Sequence, residues 1–197
     1  MRRSLYGRFF LLMCEYIAQR DNMKAKVSGL AKVLLFIENN FEDMEAMYPY
    51  YRLLEAGFTV DVAGPQQEIV YKGKYGYPLA ATVAAEAVTL SDYVALIIPG
   101  GQAPDKMRMN EAMVDLVRQA DKQGLVIGAI CHGPQLLIEA DIVRGRNVTC
   151  YRSVLTDILN AGGIYHDLEV IMDDNLVTSR TPIDLPAFMQ QILKQLI

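Results

Sequence analysis

Short, nearly unbroken apolar runs alternate along this chain with longer stretches in which apolar residues return every three or four positions. Residues 32–37 (KVLLFI), 58–63 (FTVDVA), 93–98 (YVALII) and 125–130 (LVIGAI) have strand length and little alternation. That is the pattern of strands buried on both faces of a parallel sheet. Between the first two, the spacing predicts a helix over about 42–56, with Met44, Met47, Tyr48, Tyr51 and Leu54 on its apolar face, a kink at Pro49 and closure at Gly57. Strand, helix and strand in that compass read as a βαβ unit. Residues 66–78 read as a hairpin or excursion at the sheet edge. After Pro99-Gly100-Gly101, one helix is expected to about Gln123, with Met113, Leu116, Val117 and Ala120 inward. A further helix follows Cys131-His132-Gly133-Pro134. Beyond it the pattern predicts a short strand at 148–151, a helix at 154–161 stopped by Gly162-Gly163, and a hairpin of 169–172 with 176–179. A last helix, capped by Asp184, carries Leu185, Phe188, Met189, Ile192, Leu193 and Leu196 as one stripe. The whole reads as one α/β sandwich over residues 32–197, a mostly parallel sheet with helices on both faces.

Residues 1–31 stand apart as an N-terminal extension. Arg2, Arg3 and Arg8 precede the apolar run 9–14 (FFLLMC), which superficially resembles the start of a signal sequence. The run is short, no Ala-x-Ala cleavage site follows, and it is far below the length of a membrane span. The extension is therefore read as lying on the domain surface with no targeting role, and Met23 is an alternative start.

With 197 residues, of which 52% are hydrophobic, the chain suits one domain with a sizeable core. A net charge of −4 offers nothing to a phosphate backbone, so nucleic acid is not an expected partner, and neither is a membrane. Cys14, Cys131 and Cys150 are an odd set without a CxxC pair, which points to a reducing, cytoplasmic setting and away from a disulfide framework. Two histidines, His132 and His166, are too few for a zinc site. No metal or cofactor is expected.

The chemistry gathers at residues 124–141 (GLVIGAICHGPQLLIEAD). A buried strand, a sharp turn and an immediate helix form a nucleophile elbow, which holds one side chain out at the carboxyl end of the strand. Ala129 is small where the turn leaves little room, Gly133 lets helix and strand approach without a Cβ, and Pro134 suits a first helical turn. A thiolate at such a helix start is favoured by free N–H groups, which can lower a cysteine pKa from about 8.5 into roughly the 3.5–7.5 range. Cys131 is therefore the candidate nucleophile.

Ligands in open α/β sheets sit at the carboxyl ends of the strands, so residues 38–45, 99–105 and 131–132 are expected to converge. Gly100-Gly101 and the N–H of His132 are candidate oxyanion donors, each worth typically about 2.7–4 kcal/mol. Glu42 and Asp43 fit a helix N-terminus whatever the function. Glu45, on the margin of the apolar face, is the acid expected to meet the cysteine and share its proton, with a pKa raised by burial. His166 is read as a surface residue.

At these residues the chain resembles the ThiJ/PfpI superfamily, and within it the PfpI-type intracellular protease/amidase-like proteins. The resemblance covers about residues 32–197 and rests on NNFEDMEAMYPYYRLLEAGFTVDVAG (39–64), KGKYGY (72–77), IPGGQAPDKMRMN (98–110) and AICHGPQLLIEADIVRGR (129–146). It implies a flavodoxin-like sandwich related to class I glutamine amidotransferases. It also implies a reactive Cys131 with His132 beside it, Glu45 touching the thiol, and Gly101 and His132 as oxyanion-type donors. Gly100 and Tyr151 are the expected substrate-binding residues. In the PfpI-type pattern a further acid reaches the histidine across a subunit interface; that position is Asp105 here, one methylene shorter than the usual Glu. Gln102 stands where Arg is common, and Arg152-Ser153 where Pro-Gly is common. The implied assembly is a homo-oligomer, at least a dimer.

Three functions follow from this reading. In the first, a cysteine hydrolase acts on small peptides or amides, His132 moving protons and Asp105 orienting it. In the second, glyoxalase or deglycase-like chemistry adds Cys131 to a reactive aldehyde as a hemithioacetal, and Glu45 shuttles the proton. In the third, Cys131 is a non-enzymatic redox sensor in a stress-protective, chaperone-like protein. A glutamine amidotransferase is set aside, because His166-Asp167-Leu168 lacks an acid two residues after the histidine.

Overall fold

The four continuous apolar runs become neighbouring strands in the middle of one sheet. The structure, a computed structural model, describes residues 31–197, so residues 1–30 of the expected extension, Met23 included, lie outside the described residues. The chain runs β1 (Lys32–Phe36), α1 (Asp43–Glu55), β2 (Thr59–Gly64), β3 (Val70–Lys72), β4 (Pro78–Ala80), β5 (Val83–Ala84) and β6 (Tyr93–Ile98). It continues with α2 (Ala103–Met107), α3 (Glu111–Lys122), β7 (Val126–Ile130), α4 (Pro134–Glu139), β8 (Asn147–Val148) and α5 (Leu155–Asn160). It ends with β9 (Ile164–Tyr165), β10 (Val170–Asp173), β11 (Leu176–Ser179) and α6 (Leu185–Leu196).

The seven-stranded sheet has the order β10-β11-β7-β6-β1-β2-β5, parallel throughout except for β10 against β11. Its centre is dry: Val33 to Phe36 on β1 and Ala95 to Ile98 on β6 have no exposed surface. Each large aliphatic side chain buried this way stabilises the fold by about 1.5–3 kcal/mol before chain entropy is counted. The stripe expected on α6 packs against this core through Leu185, Phe188, Met189 and Ile192. β3 and β4 form the expected hairpin as a separate two-stranded sheet.

Several expectations are corrected. On α1 the side turned inward carries Asp43, Glu45, Ala46, Met47, Pro49 and Leu53, whereas Met44, Tyr51 and Leu54 are 54%, 55% and 41% exposed. Of the apolar stripe read from the spacing, only Met47 is buried, because the inward side is the one that brings two carboxylates to specific partners. The single helix expected after Gly101 is two, α2 and α3. They divide at Asn110, whose side chain accepts from the N–H of Met113 at 3.1 Å and starts a fresh helix. The strand expected at 148–151 is only Asn147–Val148, paired in parallel with β9. Asp184 precedes α6 but makes no cap hydrogen bond; its carboxylate accepts instead from Arg180 at 3.0 and 3.1 Å. His166 is half-buried and pairs with Asn147 at 2.7 Å. The short edge strand β5 was not foreseen.

Candidate active site

Three strand ends meet where β1, β6 and β7 stop. After β1 the chain turns through Asn39 and Asn40, and the N–H of Gln102 donates to the carbonyl of Asn40 at 2.8 Å while that of Glu42 donates to Gly100 at 3.2 Å. These bonds clamp the start of α1 to the turn after β6. After β7 comes Cys131, with φ of +62°, a left-handed conformation that a side-chain-bearing residue adopts only when its surroundings impose it. Here the N–H of Cys131 donates to Ser179 at 3.0 Å and its carbonyl accepts from Tyr151 at 2.9 Å. The turn admits nothing larger than hydrogen at Gly133, where a Cβ would fall 2.6 Å from the carbonyl oxygen of Ile98. The elbow is thus set by backbone on both sides, and it presents the sulfur to a cavity of about 630 Å³.

Glu45 reaches this sulfur from α1. It has no exposed surface; one oxygen, Oε2, accepts from the N–H of Gly100 at 2.8 Å, and Oε1 has no hydrogen-bond partner among the described residues. Burial pushes its pKa up to about 8, against the opposing pull of the Gly100 N–H and the thiol. The Cys131 thiol is pushed up as well, first by burial and then by the charge of Glu45 beside it. This corrects the expectation of a lowered thiol pKa. The N–H groups of Gly101 and His132 do favour the thiolate, but burial against a carboxylate outweighs them. Two acids packed this closely do not both ionise near neutral pH, and their titration belongs to the pair.

Of the two N–H groups considered as oxyanion donors after β6, that of Gly101 faces the sulfur. Gly100 is buried, its N–H is taken by Glu45, and an added Cβ would lie 2.6 Å from Glu45 Oε2 and 2.7 Å from the Cys131 Cβ. His132 stands with Nδ1 3.2 Å from Cys131 Sγ, and Nε2 3.1 Å from Ser153 Oγ. Its ring stacks on Tyr151 with centroids 4.9 Å apart and planes at 29°. Burial and the charge of Lys74 lower its pKa, which keeps the ring neutral at pH 7.

The cavity wall also includes Glu42, Lys74, Gln102, Asp105 and Tyr151. Asp105 is exposed there and makes no hydrogen bond to His132 within the described residues. Lys74 pairs with Glu42 at 3.6 Å, and its hairpin is anchored by Asp43, whose two oxygens accept from the N–H groups of Tyr75 and Tyr77 at 2.9 Å each. Lys74 and Ser153 had no assigned role in the sequence; spacing carries no signal for a hairpin folding over a helix start or a loop crossing an elbow. Among the described residues no group of three His, Cys, Asp or Glu side chains is placed to hold a metal ion, and no helix is long and apolar enough to cross a membrane.

A buried cysteine on a strained elbow, paired with a buried acid on the first helix of a mostly parallel α/β sandwich, defines a class of proteins. Residues 31–195 match the DJ-1/PfpI family, and the chain belongs to it. It is 41% identical over 165 residues to deglycase PH1704 of Pyrococcus horikoshii, a match covering 84% of this chain and 99% of that protein. YraA of Bacillus subtilis, provisionally named a cysteine protease, is 38% identical over 84% of this chain and 98% of its own. Among solved structures, a two-domain protein of Anabaena variabilis with DJ-1/ThiJ/PfpI-like and ferritin-like domains superposes with a TM-score of 0.83 at 42% identity; the match covers 84% of this chain and 48% of that one.

Proposed function

We propose that this protein is a cysteine-dependent enzyme of the deglycase type, acting on small 2-oxoaldehydes or on their adducts with amines and thiols. The observation that carries this reading is the Glu45–Cys131 pair. A carboxyl with a pKa near 8, unpartnered at one oxygen and packed against the nucleophile, is poised to move protons on the substrate rather than to hold charge. The names of several relatives as deglycases support the same reading.

The steps follow from the atoms in reach. The Cys131 sulfur bonds to the aldehyde-derived carbon while its proton passes through His132 Nδ1 to the carbonyl oxygen or, for an adduct, to the departing amine, leaving a hemithioacetal. Glu45, as the carboxylate, takes the proton from that carbon and delivers it to the neighbouring carbonyl carbon, while the hydroxyl proton crosses to the other oxygen. No net oxidation occurs: the hemithioacetal becomes the thioester of a 2-hydroxy acid. Water then adds as the C–S bond breaks, releasing the hydroxy acid and restoring the thiol. The N–H groups of Gly101 and His132, which favour negative charge at the sulfur, are assigned to the negative oxygen as it develops.

The test is lactate formation from methylglyoxal, alone and from its adduct with a blocked amino acid. Cys131→Ala is expected to abolish it. Lactate formation unchanged in Cys131→Ala overturns the reading. Amide hydrolysis is the second reading, favoured by the name of YraA; it calls on Asp105 of a partner subunit to orient His132 in a homo-oligomer. Peptide-amide turnover that disappears in Asp105→Ala while lactate formation stays absent throughout decides for it.

A further inference from the structure

Ser153 makes a contact that neither the deglycase nor the amidase reading uses. Tyr151, Arg152 and Ser153 cross the elbow in a tight turn: the N–H of Tyr151 donates to Cys131, and that of buried Val154 donates to the carbonyl of Tyr151 at 2.9 Å. The same turn lays the Tyr151 ring on His132 and brings Ser153 Oγ to 3.1 Å from Nε2. His132 is therefore held on its face by Tyr151 and at both ring nitrogens, by Cys131 and by Ser153. We propose that Ser153 is a positioning residue that completes the Cys131–His132 pair within a single protomer, so that no acid from a second copy is required. The inference rests on the function proposed above for its role in turnover.

A neutral imidazole has one N–H, and the partner at one nitrogen decides what the other can do. When the Ser153 hydroxyl accepts from Nε2–H, Nδ1 is bare and can take the thiol proton. When the hydroxyl rotates and donates to Nε2, Nδ1–H points at the sulfur and steadies the thiolate. A carboxylate in the same place accepts only, and would fix the first state. A serine supports both, which suits a cycle in which sulfur must lose its proton and later leave as a thiol. The proton balance is simple: Sγ–H gives its proton to Nδ1, the imidazolium donates through Nε2 to Ser153, and the ring returns to neutral when Nδ1 passes the proton to the substrate. Ser153 needs no charge for this.

The experiment uses the full chain with Ser153→Ala, Ser153→Thr and Asp105→Ala. Nitrogen-15 shifts of the His132 ring report which nitrogen carries hydrogen, and the pH profile of Cys131 alkylation by iodoacetamide reports the thiol; neither depends on turnover. Ser153→Ala is expected to shift the tautomer balance, displace the alkylation profile, and lower kcat for methylglyoxal about tenfold, the reach of one hydrogen bond, with KM within about twofold. Ser153→Thr restores all three. Unchanged nitrogen shifts and alkylation in Ser153→Ala overturn the proposal, as does an effect found only in Asp105→Ala and growing with protein concentration. Absent turnover of methylglyoxal in the wild type sinks the deglycase reading instead, and leaves the ring and alkylation measurements to decide the role of Ser153.

Discussion

Glu45 and Gly100 show how little slack the site has. Glu45 Oε2 sits on the Gly100 N–H at 2.8 Å, and a methyl group at Gly100 would have to share space with Glu45, the Cys131 Cβ and the His132 nitrogen, all within 2.8 Å of it. All three neighbours are fixed by backbone or by burial, so none can move aside. Gly100→Ala is expected to fold yet lose at least about a hundredfold in turnover, since it displaces acid and nucleophile together; lactate formation alongside the unfolding midpoint checks both halves. In the proposed cycle Glu45 is a base only when ionised, so kcat/KM is expected to rise with pH and level off above about 8, where burial places its pKa. Glu45→Gln removes that rise and lowers kcat by about 10²–10⁴-fold. A flat profile in the wild type from pH 6 to 9 would refute the assignment of Glu45 as the base.

The elements differ in how their ends are held, and this sets what each tolerates. Helix α3 is preceded by Asn110, whose side chain caps the N–H of Met113 and is not part of the cavity wall. Asn110→Ala is expected to cost about 1 kcal/mol in a urea titration and leave kcat unchanged. The β3–β4 hairpin is tied to α1 by the Asp43 carboxylate, which accepts from Tyr75 and Tyr77 and so holds Lys74 on the cavity wall. Hydrogen bonds to a buried charged group contribute about 1.5–3 kcal/mol. Asp43→Ala is expected to lose about that much stability and to raise KM more than it lowers kcat, because the hairpin, not the elbow, is released; steady-state kinetics separate the two. At this scale the sequence was legible in part. The strand runs were unambiguous because both faces of β1 and β6 are buried, so hydrophobicity alone marked them. The stripe on α1 misled because Met44, Tyr51 and Leu54 share a period with the buried face but are set off from it. Asn110 did carry a readable capping signal, three residues before Met113, within what looked like continuous helix.

For the molecule as a whole, burying Glu45 links stability to pH. Its folded-state pKa is raised from 4.5 to about 8, so between those values the folded protein holds a proton that the unfolded chain has released. Stability from this group is complete below pH 4.5 and is lost as pH rises through the folded value near 8. The steepest loss is about 1.4 kcal/mol per pH unit for one proton. Chemical denaturation of the wild type from pH 5 to 8 is expected to show this decline, and Glu45→Gln to flatten it. An equal slope in both proteins would place the linkage elsewhere. Such a cost, borne by the fold near neutral pH, is what burying a carboxyl beside the Cys131 sulfur imposes.

The order of residues by itself determined the sheet, the elbow and the identity of its sulfur. Those rest on local rules: apolar runs long enough to cross a sheet, and small residues where a strand must turn sharply into a helix. Which side of α1 faced inward, and that His132 met Ser153, could be decided only by the tertiary structure. Each depends on two segments far apart in the chain arriving at one point, and no spacing along a chain encodes where another segment will stop.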